Sequence, residues 1–266
     1  MLPAPRSDGA VVVTGASSGI GRDIAREFAR RGYQVVLVAR RADLLTELAE
    51  SLDTPATVLP ADLCVPAERA ALPERVAAHG LAVDILVNNA ASSTLGTVAR
   101  TDTDAELAVI ELNVAAVVDL CSRFVPGMVE RGRGAVLNVA SLGAYGPVPG
   151  QASYGASKAF VLSYTDALSQ ELRGTGVTAA TLCPGPVRTG FGEQIGLPDE
   201  EAEKSLPKFI WRQPDEVARI AVDGLAAGRR VIVPGLPNRI LAAVNHLMPR
   251  RLLLAMVARN HPGMSI

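Results

Sequence analysis

The stretch from Ala10 to Ile24, AVVVTGASSGIGRDI, constrains this chain most: three β-branched residues break off into a glycine-rich turn that runs on into a helical pattern. Val11, Val12 and Val13 are apolar on both alternating faces, as a strand buried between two helical layers must be. Gly15, Gly19 and Gly21, spaced G-x-x-x-G-x-G, predict a turn whose backbone can approach a ligand closely. Free N–H groups at the start of the following helix, near Ile20, carry partial positive charge suited to a pyrophosphate, and Thr14, Ser17 and Ser18 supply hydroxyls beside it. The spacing differs from the G-x-G-x-x-G of the commonest dinucleotide fingerprint, and an ordinary tight strand-to-helix connection would also satisfy it.

The second strand bears on the ligand. The first helix ends near Arg30, Arg31 and Gly32, and a further apolar run, Gln34 to Ala39, closes on Arg40 and Arg41. A NAD site wants a carboxylate here, roughly 20 residues past the glycines, to accept from the ribose 2′-hydroxyl. Two guanidinium groups instead complement a 2′-phosphate, so the expected cofactor is NADP(H); solvated loop charge is the plainer alternative. The alternation then repeats, with helices over 43–52 and 67–79 and strands over 56–60 and 83–87. That rhythm predicts a parallel α/β sheet with right-handed crossovers. Asp62 and Asn88-Asn89-Ala90 stand just past strand ends, where ligands of open parallel sheets lie, although Asp and Asn also serve as turn residues.

A long helical pattern over 104–131 places Leu107, Ile110, Val114, Val117, Val118 and Leu120 at core spacing, with a bend expected at Pro126 and Gly127. Asn113 falls within that apolar stripe and needs partners there. A strand over 135–139 leads to Ser141, the loop GAYGPVPG and a helix over 153–172. On that helix Tyr154 and Lys158, four apart, share one face. A phenol titrates near ~10, too high for neutral proton transfer, and a neighbouring ammonium in a poorly solvated site favours its ionised form. Tyr154 and Lys158 are thus an acid/base pair in outline, and Ser141 a hydrogen-bonding partner for a substrate oxygen. Each element alone also occurs on ordinary surface helices and turns.

Taken in order, T-G-A-S-S-G-I-G at 14–21, N-N-A at 88–90, Asn113, Ser141, Y-x-x-x-K at 154–158 and P-G-P-V-R-T at 184–189 resemble the short-chain dehydrogenase/reductase family over about residues 8–233. The resemblance implies a Rossmann-type α/β domain with a parallel sheet of about seven strands, and hydride transfer between a nicotinamide and a carbonyl or alcohol carbon. It implies Tyr154 as proton donor or acceptor, Lys158 lowering its pKa and bonding the nicotinamide ribose, Ser141 holding the reacting oxygen and Asn113 supporting a water relay. By the same resemblance Gly15, Ser17, Ser18, Gly19, Ile20 and Gly21 wrap the pyrophosphate, Asp62 and Leu63 meet the adenine, and Asn89 and Ala90 lie by its ribose. Pro184, Gly185, Val187 and Thr189 flank the nicotinamide. One position departs: the family usually has glycine after N-N-A, where this chain has Ala91, a residue disfavoured if the turn needs positive φ.

At 266 residues, 48% hydrophobic and 20% charged, the chain suits one domain over 1–235 with an apolar extension over 236–266 on the same domain. A net charge of −1 gives no broad basic surface for nucleic acid. The opening MLPAPRSDG has no apolar signal region, so a cytoplasmic protein is expected. Cys64, Cys121 and Cys183 read as buried thiols, and no histidine stands at metal-ligand spacing, so no metal is expected.

Phe191, Ile195, Leu197, Leu206, Phe209, Ile210 and Trp211, in the segment the family places over its substrate, suggest an apolar substrate. After a strand over 230–233, two apolar helical pieces, 240–248 and 252–257, are parted by Pro249-Arg250-Arg251. Each is too short to span a membrane. They are expected to pack on the domain or between subunits of a homodimer or homotetramer, with a lid and a basic membrane-surface contact as alternatives. The resulting expectation is an NADP(H)-dependent carbonyl reductase or alcohol dehydrogenase. Its rivals are a non-catalytic NADPH-binding regulator and a peripheral membrane reductase of lipid-like acyl or steroid substrates.

Overall fold

A computed structural model describes residues 2–194, 196–197, 207–254 and 262–264. Seven strands pair throughout in parallel: β1 Gly9–Thr14, β2 Gln34–Ala39, β3 Ala56–Pro60, β4 Ala82–Asn88, β5 Gly134–Val139, β6 Val177–Leu182 and β7 Val231–Ile232. Their spatial order is β3-β2-β1-β4-β5-β6-β7. Strand order reverses between β1 and β4, and in a sheet of this type the crevice beyond that reversal is the natural ligand position.

Helices cover both faces, as expected of a Rossmann-type fold: α1 Gly19–Arg30, α2 Ala42–Glu50, α3 Pro66–Ala77, α4 Thr103–Ile110, α5 Ala116–Glu130 and α6 Ala152–Glu171. A short α7 Phe191–Gln194 precedes α8 Pro214–Ala226 and α9 Leu236–Leu247. The valines of β1 divide between two apolar layers. Val11 and Val13 pack with Ile24 and Phe28 of α1, whereas Val12 packs with Leu120 and Met128 of α5. Both layers are closed to solvent, which is why an uninterrupted valine run is stable there.

The pattern over 104–131 is not one helix. After α4, capped by the Asp102 carboxylate accepting from Ala105 N at 2.9 Å, a π-helical turn spans Glu111–Ala115 before α5 begins. The interruption is not at Pro126, which α5 carries within its length. A π turn inserts one residue, rotating the residues before it by about 100° relative to those after it. Leu107 and Ile110 therefore leave the stripe occupied by Val117 and Leu120, and are 61% and 38% exposed. Val109 and Asn113 are buried in their place.

Among the described residues no non-glycine has positive φ, so Ala91 sits without backbone strain. At the carboxyl end α9 begins at Leu236, with Pro237 in its first turn, and a separate helical turn covers 250–254. The rest of the second apolar piece lies outside the described residues. On its inner side α9 buries Asn238, whose Nδ2 donates to Ile210 O at 3.1 Å and Pro234 O at 3.0 Å. No helix among the described residues is long and apolar enough to cross a membrane.

The π turn is held by a buried cation. Arg69 of α3 pairs with Glu111 at 2.7 Å and Asp119 of α5 at 2.8 Å, and donates to Leu63 O at 2.5 Å. Removing one member of such a cluster leaves the others facing a poorly solvated gap. Arg69→Leu is expected to lower the unfolding free energy by about 3 kcal/mol in urea denaturation; a change within about 0.5 kcal/mol would contradict this role.

Candidate active site

The crevice begins where β1 ends. Thr14 is buried, and its hydroxyl donates to Val87 O at 3.2 Å while accepting from Asn89 N at 2.9 Å and Ala90 N at 3.1 Å. The chain then turns through Gly15 and Gly19, with φ of 65° and 56°. A Cβ on Gly15 would stand 2.8 Å from Asn89 Nδ2, and one on Gly19 would stand 3.0 Å from Thr189 Cβ. Gly21 is needed for a different reason. It is buried off the crevice wall, and a Cβ there would drive into the Asn89 amide and stand 2.5 Å from Gly15 O, so its absence lets α1 pack beneath the turn.

The start of α1 suits an anion. Ser18, at the N-cap, makes no side-chain capping bond, and the first turn contains no acidic residue. The helix amides and their partial positive charge are therefore directed at whatever occupies the turn, and the small residues around it leave room for a phosphate pair. These residues fit a dinucleotide.

From there a cleft of about 640 Å³ extends in both directions. At one end stand Arg40 and Arg41, both exposed; Arg41 donates to Ser17 Oγ at 3.0 Å and Ser18 Oγ at 3.1 Å. Asp62 and Leu63 form the adjoining wall together with Cys64. Cys64 is only half-buried, contrary to the expectation of three buried thiols, whereas Cys121 and Cys183 are buried. Ile20, Asn89 and Ala90 line the middle, where Ala91, Ser92 and Ser93 also contribute, three residues the sequence did not mark as lining.

At the other end the wall contains Ser141, Tyr154 and Lys158, and Pro184, Gly185, Val187 and Thr189 also line the cleft, Pro184 O accepting from Leu142 N at 2.9 Å. Tyr154 and Lys158 sit one turn apart on α6, the Lys158 Nζ lying 5.7 Å from the Tyr154 ring centre. Lys158 is 3% exposed, and its ammonium donates to Val139 O, at the end of β5, at 2.9 Å. Burial brings its pKa down to about 8. Burial raises the Tyr154 phenol, and the hydrogen bond with the Ser141 side chain draws it back. Ser141 and the Lys158 ammonium thus both stand close to the phenol. Ser141 Oγ also accepts from Gly143 N at 3.1 Å, which fixes it as the cap of a 3-10 turn, Leu142–Tyr145.

Asn113 does not reach the cleft wall with its side chain. Its amide donates to Ser92 O at 2.9 Å and Ser157 Oγ at 3.0 Å, and accepts from Ser92 N at 2.9 Å. Ser157 in turn donates to Tyr154 O at 2.7 Å, so the π turn braces both the lining segment at Ser92 and the helix that carries the phenol. Of the apolar residues expected over a substrate, Phe191 lines the cleft, its ring 6.0 Å from that of Tyr154. Phe209 is 67% exposed, Ile210 is buried and Trp211 is half-buried, all off the lining; Leu197 is half-buried and also off it. Ile195 and Leu206 lie outside the described residues. Chemically, the phenol and the Ser141 hydroxyl converge where one oxygen could be held and exchange a proton, on the same cleft as a glycine turn whose helix amides suit an anion.

Comparison with known proteins agrees with this architecture. The family model for short chain dehydrogenase matches residues 9–199. A dehydrogenase/reductase SDR family protein 7-like from Drosophila melanogaster is 34% identical over 258 residues, covering 90% of this chain and 76% of its own. Sulfoacetaldehyde reductase 2 from Chromohalobacter salexigens is 38% identical over 192 residues, covering 68% of this chain and 73% of its own. A solved short-chain dehydrogenase from Sphingobium yanoikuyae in complex with NADPH superposes with a TM-score of 0.79 at 32% identity, covering 93% of this chain and 95% of that one. The chain belongs to the short-chain dehydrogenase family of oxidoreductases.

Proposed function

We propose that the protein is a cytoplasmic NADP(H)-dependent reductase, acting on an apolar carbonyl or the corresponding secondary alcohol, with Tyr154 as general acid/base. The observation that carries this reading is the convergence, on one cleft, of the Tyr154–Ser141 hydroxyl pair at one end and Arg40 and Arg41 at the other. The NADPH-bound Sphingobium yanoikuyae relative supports the cofactor. When bound, the nicotinamide supplies or accepts the hydride.

The chain's own groups do the rest. Ser141 donates to the substrate oxygen and fixes its position. Tyr154 delivers a proton to that oxygen in reduction and removes it in oxidation. Lys158 holds a positive charge one helical turn away, favours the phenolate in the catalytic complex and bonds the nicotinamide ribose. Asn113 would support a proton relay through water, holding Ser92 and Ser157 in place. Gly15, Ser17, Ser18, Gly19, Ile20 and Gly21 hold the pyrophosphate, with Gly21 acting through packing. Asp62, Leu63, Asn89 and Ala90 receive the adenosine, and Pro184, Gly185, Val187 and Thr189 the nicotinamide side. Phe191, against the phenol, gives an apolar substrate group its contact. Assembly as a homodimer or homotetramer belongs to the same reading.

Three outcomes test it. Tyr154→Phe should leave the NADPH Kd nearly unchanged and lower kcat about 10²–10⁴-fold in a ketone-reduction assay; retained turnover would require another proton donor. Arg40→Asp should lower the ratio of kcat/KM with NADPH to that with NADH by about tenfold or more. An unchanged ratio would remove Arg40 from 2′-phosphate recognition.

The third concerns pH. The Lys158 pKa is held near 8 in the fold and returns to its ordinary value, near 10.4, on unfolding, so between these limits the unfolded chain binds the extra proton. The burial penalty is full below pH 8 and fades as pH rises. Subtracting the stability of Lys158→Met from that of wild type should therefore give a difference that grows in favour of wild type from pH 8 to 10.5. A flat difference in denaturation measurements would show the amine to be ordinarily solvated.

A further inference from the structure

The carboxyl-terminal segment has one buried side and one exposed side. Along α9 the exposed large apolar residues are Leu236, Ile240, Val244 and Leu247, the last 80% exposed. At about 100° per residue they fall within an arc of about 80°. Asn238 and Ala242, on the opposite side, are buried against the body of the protein. The turn at 250–254 repeats the arrangement: Leu253 is buried while Leu252 and Leu254 are exposed. Exposed cations, Arg239, Arg250 and Arg251, stand beside these residues. An apolar face of this kind, rimmed by guanidinium groups, is more than scattered surface hydrophobicity.

Charge decides what covers it. From residue 234 to 266 the sequence has four arginines and no Asp or Glu, leaving the remainder with 22 basic against 27 acidic residues. The sequence is thus polarised, its last 33 residues cationic and the remainder anionic. A second copy meeting this face about a two-fold axis would bring two cationic faces together with no side-chain carboxylate of residues 234–266 to pair the guanidinium groups. An anionic lipid surface offers the opposite charge together with an apolar layer in which leucine and isoleucine side chains can be buried. At 12 residues α9 is too short to cross that layer and would lie in its plane.

We propose that the outward face of α9, with the 250–254 turn, docks this protein on an anionic membrane surface. The segment lies beside the 3-10 turn capped by Ser141 and a second one, Lys208–Ile210. Docking would therefore hold the substrate end of the cleft close to the bilayer.

The test uses the full chain and flotation with phosphatidylcholine vesicles, with or without phosphatidylglycerol. Wild type should float with the anionic vesicles, and its partitioning should fall about tenfold or more without phosphatidylglycerol or at high salt. Two variants, Ile240→Asp with Leu247→Asp and Arg250→Glu with Arg251→Glu, should each lose about tenfold or more of the anionic partitioning, while NADPH binding stays at the wild-type level and reports an intact fold. If wild type fails to float, or both variants float as well as it does, the proposal is overturned. It is also overturned if the aspartate variant converts a larger oligomer into a smaller one by light scattering, since a second copy would then be the occupant. The arginine variant alters only exposed side chains and keeps the question answerable should the aspartate variant misfold.

Discussion

The buried Thr14 hydroxyl is the tie on which the site depends. It links the ends of β1 and β4, the two strands at which strand order reverses, by giving its proton to one backbone carbonyl and receiving two backbone amides. A buried hydroxyl with every capacity engaged fixes its neighbours more firmly than an apolar contact, because each unmade bond would carry a desolvation cost. Asn89 adds a second tie, reaching back to Thr14 O at 3.0 Å, so the glycine turn is held against the loop after β4. The left-handed glycines supply the freedom to turn, and Thr14 and Asn89 remove the freedom to wander.

The Tyr154 end of the cleft is fixed by a separate buried polar ladder. Asn88 Nδ2 donates to Asn138 Oδ1 at 2.9 Å, Asn138 Nδ2 donates to Thr165 Oγ1 at 2.9 Å, and Thr165 donates to Val161 O at 2.7 Å. That chain crosses from β4 through β5 to α6 and sets the height of the helix bearing Tyr154 and Lys158. The π turn acts from the other side through Asn113 and Ser157. Tyr154 is thus positioned by groups that never face the cleft. A phenol raised by burial and an amine lowered by burial are both displaced from their ordinary titration.

Much of this was legible in the sequence, and the failures have physical reasons. The valine run of β1, the glycine turn, Arg40 and Arg41, and the Tyr154–Lys158 spacing depend on local chemistry, which a sequence displays directly. The split of the 104–131 helix does not: a π insertion leaves no composition signal, and its stabilising contacts, Asn113 with Ser92 and Ser157, join distant segments. Val177–Leu182 escaped individual reading because its threonine and alanines form a weak strand pattern, although its neighbours β5 and β7 make it a strand. Gly21, which the resemblance places around the pyrophosphate, packs against Gly15 O and the Asn89 amide beneath the turn, a close approach that its spacing in the sequence does not reveal. The Val139 carbonyl, which accepts from the Lys158 ammonium at 2.9 Å, joins β5 to α6 across a distance in sequence that spacing on one helix does not display.

The contact between Gly185 and Asn238 has a mechanical consequence. A Cβ on Gly185 would stand within 2.6 to 2.7 Å of the Asn238 carboxamide, so the loop after β6 and the last long helix touch with no slack between them. A rigid contact of this kind transmits displacement in both directions: whatever tilts the helix alters the clearance of the loop, and whatever seats against the loop presses on the helix. The position of α9 and the shape of the cleft wall at Gly185 are thereby geared together through one glycine.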